Sequence, residues 1–184
     1  MQIRWLPLSI GTVAAMTFNA QAIELADGTT AFIQPPQFLN ASTTNDSVMR
    51  RNATYFFTLD LPANADAPLQ SVVIEPQNLT RYLQPYQLDR TIAFAETPGD
   101  EQSELSLGDV SIDENTKAVT VEFEPPVEPG RLVTIGLRPQ RNPRLDGTYV
   151  FRVTAIPEGD QPQAHIAGHG RLYFIDNDRD RIFR

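Results

Sequence analysis

Between Ala118 and Ile156 apolar and polar residues alternate in three successive runs. Val119, Val121 and Phe123 alternate with Thr120, Glu122 and Glu124. Val133, Ile135 and Leu137 alternate with Thr134, Gly136 and Arg138, and Tyr149, Phe151, Val153 and Ala155 with Val150, Arg152, Thr154 and Ile156. A period of two sends successive side chains to opposite faces of an extended chain, so each run predicts a strand with one buried face. Pro125-Pro126 with Pro129-Gly130, and Asn142-Pro143 with Asp146-Gly147, stand between the runs. Their fixed or permissive φ angles favour turns, and the whole stretch predicts an antiparallel meander.

The same pattern recurs upstream. Tyr55, Phe57, Leu59 and Leu61 alternate with Phe56, Thr58 and Asp60 until Pro62, which has no N–H to donate. Leu69 to Glu75 follows, so the two runs predict a hairpin or a corner between sheets. Shorter runs predict strands at Ala31-Phe32-Ile33, stopped by Pro35-Pro36, at Thr91 to Ala95, and at Leu172 to Ile175. Asn40 to Asp46 reads as a polar lead-in, and Glu96 to Asp109 as an acidic, turn-rich loop. Leu79, Tyr82, Leu83 and Tyr86 have helical spacing behind a candidate N-cap, Asn78, but Pro85 restricts that segment to a turn or two. The sum is an all-β fold, an immunoglobulin-like antiparallel β-sandwich of about eight strands with one short helical turn. Val121, Ile135, Phe151 and Val153 should share a core with Phe57 and Leu59.

Gly147-Thr148-Tyr149-Val150-Phe151 resembles the immunoglobulin-type tyrosine corner, with Phe151 standing where antibody domains carry their second cysteine. The resemblance is to the wider sandwich architecture.

Composition narrows the chemistry. The 184 residues suit one domain able to bury its own core, and cysteine is absent, which excludes disulfides, thiol catalysis and cysteine metal sites. A formal net charge of −8 argues against nucleic acid as a general partner, because such binding neutralises phosphates with Lys and Arg. Residues 1–22 read as a signal peptide, from Arg4, an apolar run over Leu6 to Phe18 and the small-x-small pattern Ala20-Gln21-Ala22. No second apolar segment of spanning length follows. Residues 23–175 then form the sandwich domain and residues 176–184 a charged C-terminal tail.

Candidate sites are few. His165 and His169 are the only histidines; Gly168 and Gly170 disfavour a helix, and in a strand both would face one side, too far apart for easy shared ligation. Asp176, Asp178 and Asp180 have calcium-loop spacing, but Arg181 takes the place of the glycine such a loop needs. Tyr82 and Tyr86 are close enough to stack on a sugar, although aromatic residues at this spacing more often pack on a core. No nucleophile elbow or phosphate-binding loop is present. Arg138, Arg141 and Arg144 recur at three-residue intervals around Pro139 and Asn142-Pro143. Their planar forks of donors could dock an anionic partner, or pair with the domain's own carboxylates.

Tyr55-Phe56-Phe57-Thr58-Leu59-Asp60-Leu61-Pro62, Phe123-Glu124-Pro125-Pro126-Val127 with Pro129-Gly130, and Gly136-Leu137-Arg138-Pro139-Gln140-Arg141-Asn142-Pro143 resemble an exported cyanobacterial family catalogued only as a domain of unknown function. The resemblance implies an envelope or thylakoid-lumen address and transfers no catalytic residues. The expectation is an exported, non-enzymatic module in the periplasm, thylakoid lumen or extracellular space. It would bind an anionic envelope component or protein, or play a structural part, without metal or cofactor and without a membrane span once the signal is removed. The alternatives are a hydrolase with a scattered catalytic set and a periplasmic metal carrier using His165, His169 and nearby carboxylates.

Overall fold

The computed structural model describes residues 29–97 and 100–177. The signal segment and Asp178, Asp180 and Arg181 lie outside them. Ten strands are described: β1 (Gln37–Thr43), β2 (Tyr55–Leu61), β3 (Leu69–Pro76), β4 (Ile92–Thr97), β5 (Asp100–Glu104), β6 (Leu107–Ile112), β7 (Val119–Val127), β8 (Arg131–Leu137), β9 (Gly147–Pro157) and β10 (His165–Phe174). They form two antiparallel five-stranded sheets, ordered β1-β2-β8-β4-β5 and β10-β9-β3-β7-β6. The all-β sandwich expected from the alternation is therefore the fold.

The period-two runs bury the expected faces. Phe57, Leu59, Val121, Ile135, Phe151 and Val153 lie in one core, where the rings of Phe57 and Phe151 meet edge to face at 5.3 Å. Such geometry matches the positive edge of one ring to the negative face of the other.

The meander does not form. β7 and β9 belong to one sheet and β8 to the other, so the chain crosses the core at each of the two connections. Alternation shows that a strand has an apolar face; both sheets turn such faces to the same core, so the period does not say which sheet a strand joins. The β2–β3 connection is likewise a corner between sheets. Pro125 and Pro126 are not a turn but part of β7, in a section where the β3–β7 register shifts and no ladder bond is required of them.

Other local expectations are corrected too. Ala31-Phe32-Ile33 forms no strand; an isolated bridge joins Thr30 to Pro162 instead. Asn40 to Thr43 of the polar lead-in belong to the missed edge strand β1, and the acidic loop contains β5 and the start of β6, also edge strands. An edge strand pairs on one side only and can be polar on much of its surface, so its apolar signal is weak. The helical spacing at 79–86 produces separate 3-10 turns at Thr80–Tyr82 and Leu88–Arg90. Leu79, not Asn78, precedes the first turn. Asn78 instead continues the β3–β9 pairing with its side chain, accepting from Val150 N at 2.8 Å and donating to the Thr148 carbonyl at 3.0 Å. Tyr82 and Tyr86 pack against the core.

The tyrosine corner is present: Tyr149 Oη donates to the Leu145 carbonyl at 2.8 Å. Where β1 lies against β10, Gly168 and Gly170 leave room for Phe38; a Cβ on Gly170 would stand 2.9 Å from Phe38 Cζ and 3.0 Å from Ala41 Cβ.

Candidate functional site

Three connections meet at one end of the sandwich. The pairings Thr43↔Tyr55, Tyr55↔Leu137 and Ile92↔Gly136 bring together the β1–β2, β8–β9 and β3–β4 loops. Asn142 fastens two of them from a fully buried position. Its Oδ1 accepts from Tyr55 Oη at 2.9 Å, and its Nδ2 donates to the carbonyls of Asn45 at 2.9 Å and Ser47 at 2.7 Å. The Asn142 N–H donates to the Arg50 carbonyl at 2.7 Å. The third loop is tied by Gln87 N to the Arg138 carbonyl and by Gln140 N to the Pro85 carbonyl, both 2.8 Å. Burial favours the neutral form of the phenols at this end: it raises Tyr55 and Tyr86 above the usual range, and with Tyr82 and Asp146 nearby it pushes Tyr149 up to about 12.

These loops frame an open cleft of about 430 Å³ lined by Arg51, Asn52, Gln87, Gln140 and Arg141. Gln87 is part of the frame, donating to the Pro139 carbonyl at 3.3 Å and accepting from Arg90 Nη1 at 3.2 Å. The side chains of Arg51, Asn52, Gln140 and Arg141 have no hydrogen-bond or ion-pair partner among the described residues. Arg141 is half-buried as a residue, and its guanidinium has no carboxylate partner among the described residues. Arg138 is half-buried as well, and its Nε is enclosed with no acceptor. Arg144 is exposed, its N–H reaching the Tyr82 carbonyl at 3.4 Å. Asn52 and Met49 hold φ values of 63° and 59°, a left-handed conformation that Asn adopts more readily than Met.

The arginine triplet is thus divided. Arg141 lines the cleft, and neither Arg138 nor Arg144 does. Among the described residues none of the three pairs with a carboxylate; the ion pairs seen are Lys117–Glu114 and Arg152–Glu75. Arg51, not among the sequence candidates, joins Arg141 because the β2–β8 pairing brings the two loops together at Tyr55↔Leu137 and the Asn142 N–H ties them beyond it to the Arg50 carbonyl. The loops at this end also carry Arg50, Arg81, Arg90 and Lys117, together with Asp46, Asp89, Asp113, Glu114, Asp146 and Asp176. At the opposite end, the described connecting residues 29–36, 62–68, 128–130 and 158–164 include Asp66, Glu128, Glu158 and Asp160 and no Lys or Arg. Most of the described cations therefore lie around one rim, beside six carboxylates, while Arg131 begins β8 at the opposite end and Arg152 and Arg171 lie within strands.

A second cleft of about 380 Å³ at the same end is lined by apolar Leu83, Pro85, Tyr86, Leu88 and Ile112 beside Gln84, Glu114 and Lys117. The histidines do not converge. A bulge between Ile166 and Gly168 sets His165 opposite Ala155, whose side chain is buried, and His169 opposite the outward Arg152. The expectation that both face one side is overturned by that extra residue. No group of three His, Cys, Asp or Glu residues close enough to hold a metal occurs among the described residues.

The family described as "Protein of unknown function (DUF2808)" matches residues 29–174. No curated protein matches the chain. Among solved structures, the chain is similar to the C-terminal domain of the Streptococcus pyogenes antigen I/II-family protein AspA, at 12% identity and a TM-score of 0.43, over 73% of this chain and 46% of that one. It is similar to the collagen-binding domain of a Staphylococcus aureus adhesin at 9% identity and a TM-score of 0.39, over 73% and 93% of the two chains. ACE19, the collagen-binding subdomain of the Enterococcus faecalis surface protein ACE, gives 11% identity and a TM-score of 0.40, over 76% and 98%. The chain thus spans about half the length of the first of these structures, and the likeness to all three is one of sandwich fold.

Proposed function

The chain belongs to this family, and from that premise we propose that it is an exported binding module whose arginine-bearing loop end holds an anionic envelope component without transforming it. The observation that carries the reading is the half-buried residue Arg141, whose side chain is unpaired among the described residues and stands beside Arg51 in a cleft whose walls are fixed by backbone and Asn142 hydrogen bonds. A guanidinium without a counter-charge gains charge-assisted hydrogen bonds once a carboxylate, sulfate or phosphate arrives. Loops already fastened lose little entropy on binding.

Export, and the cyanobacterial source that the sequence resemblance implies, are part of this proposal. Export rests on Arg4, the apolar run and Ala20-Gln21-Ala22, and the source on the resemblance alone. N-terminal sequencing of the native protein should begin at or near Ile23, and an intact Met1 would reject export with cleavage. For binding, wild-type protein and an Arg51→Gln/Arg141→Gln variant are incubated with solubilised envelope from the native source. Salt-sensitive retention by the wild type and its loss in the variant are expected. Equal retention by both would remove the loop end from the binding function.

A further inference from the structure

The cleft's chemistry is narrower than that of a basic patch, and it deepens the reading above, on which it rests. Every residue lining it is Arg, Asn or Gln. Of the chain's 15 basic residues only Lys117 is a lysine, and it lies outside this cleft. Arginine offers paired donors in one plane, the match for a carboxylate's two oxygens. The carboxamides of Asn52 and Gln140 each add a donor and an acceptor. A simple anion supplies acceptors alone and makes no direct use of the two carboxamide oxygens, which water then serves. Hydroxyl groups both donate and accept, so a molecule carrying a carboxylate among hydroxyls uses all four side chains that have no partner among the described residues.

We propose that this cleft binds a carboxylate-bearing sugar of an acidic polysaccharide, with Arg51 and Arg141 on the carboxylate and Asn52 and Gln140 on ring hydroxyls. A volume of about 430 Å³ falls in the range of small-ligand sites and suits one or two rings of a longer chain passing through an open groove. The lining includes no apolar or aromatic side chain. An acidic peptide brings apolar side chains and a backbone seeking a strand edge, and this cleft offers neither. A surface made of carboxylate and hydroxyls fits better.

Four polymers separate the elements of this proposal: oligogalacturonate has carboxylate and hydroxyls, polyglutamate carboxylate without ring hydroxyls, dextran sulfate hydroxyls with another anion, and dextran hydroxyls alone. Titration calorimetry on the full domain at about 0.15 M salt should show binding to oligogalacturonate, markedly weaker binding to polyglutamate and dextran sulfate, and none to dextran. Arg141→Gln should weaken the oligogalacturonate interaction about ten- to a hundredfold, as expected for losing a charge-assisted pair. Gln140→Ala should weaken it less, and methyl esterification of the uronate should abolish it. Equal binding of polyglutamate or dextran sulfate, or no binding of oligogalacturonate, overturns the sugar assignment. If envelope retention still depends on Arg51 and Arg141 in that case, the binding-module reading survives alone; if it does not, both fall.

Discussion

Tyr55 Oη donates to Asn142 Oδ1 at 2.9 Å across 87 residues of sequence, and both residues are fully buried. Because Asn142 Nδ2 also serves the Asn45 and Ser47 carbonyls, one side chain joins a core strand to the two loops that bear Arg51 and Arg141. Asn142→Ala leaves a phenol and two carbonyls without this partner, at about 1–3 kcal/mol for each that stays buried and unpaired. Urea unfolding should therefore show a loss of about 3 kcal/mol or more, against about 1 kcal/mol for Tyr55→Phe, which leaves both carbonyl bonds intact. A Tyr55→Phe loss equal to that of Asn142→Ala would mean that the amide's two donor bonds contribute little.

The shared core is tested at Phe151, whose ring meets Phe57 at 5.3 Å. Phe151→Ala should cost about 3–5 kcal/mol, from lost burial and the cavity left behind. An unchanged denaturation midpoint would show that this face of β9 is not in the core.

The junction of β1 with β10 depends on the absence of a side chain at Gly170. A Cβ there stands 2.9 Å from Phe38 Cζ, so Gly170→Ala should cost about 1–3 kcal/mol by overpacking. Combining it with Phe38→Leu should recover part of the loss in thermal unfolding, because the clashing ring is gone. If the double variant is no more stable than the sum of the two losses predicts, the clash is not the cause.

Alkaline pH tests the buried phenols. Tyr55 and Tyr86 are raised above the usual range, and Tyr149 is raised to about 12, chiefly by burial. A phenol whose pKa is higher folded than unfolded favours the fold fully below the unfolded value, near 10, and that advantage is lost as pH climbs toward the folded value. Stability should thus fall progressively above about pH 10, with tyrosinate absorbance from these residues appearing together with unfolding. Tyr149→Phe should flatten the decline between about pH 10 and 12. A decline identical to wild type would dissociate Tyr149 from it.

Arg141 separates binding from folding. Its side chain has no partner among the described residues, so Arg141→Gln should change the unfolding free energy by no more than about 0.5 kcal/mol. A large fall in melting temperature with envelope retention intact would show that this arginine serves the fold.

The alternation of Tyr55 to Leu61, Val119 to Phe123 and Tyr149 to Ala155 was enough to determine strands with one apolar face, hence an all-β sandwich and the membership of its core. The Pro-rich loop carrying Arg141 was legible for the same local reason, since proline and asparagine mark turns. The edge strands β1 and β5 were hidden because pairing on one side asks for no continuous apolar face. The sheet that each strand joins, the bulge that turns His169 away from His165, and the meeting of Arg51 with Arg141 were decided by the tertiary structure alone. Local periodicity records which face of a strand avoids water; which distant strand lies beside it depends on pairing over tens of residues, and that pairing sets which loop residues share a cleft.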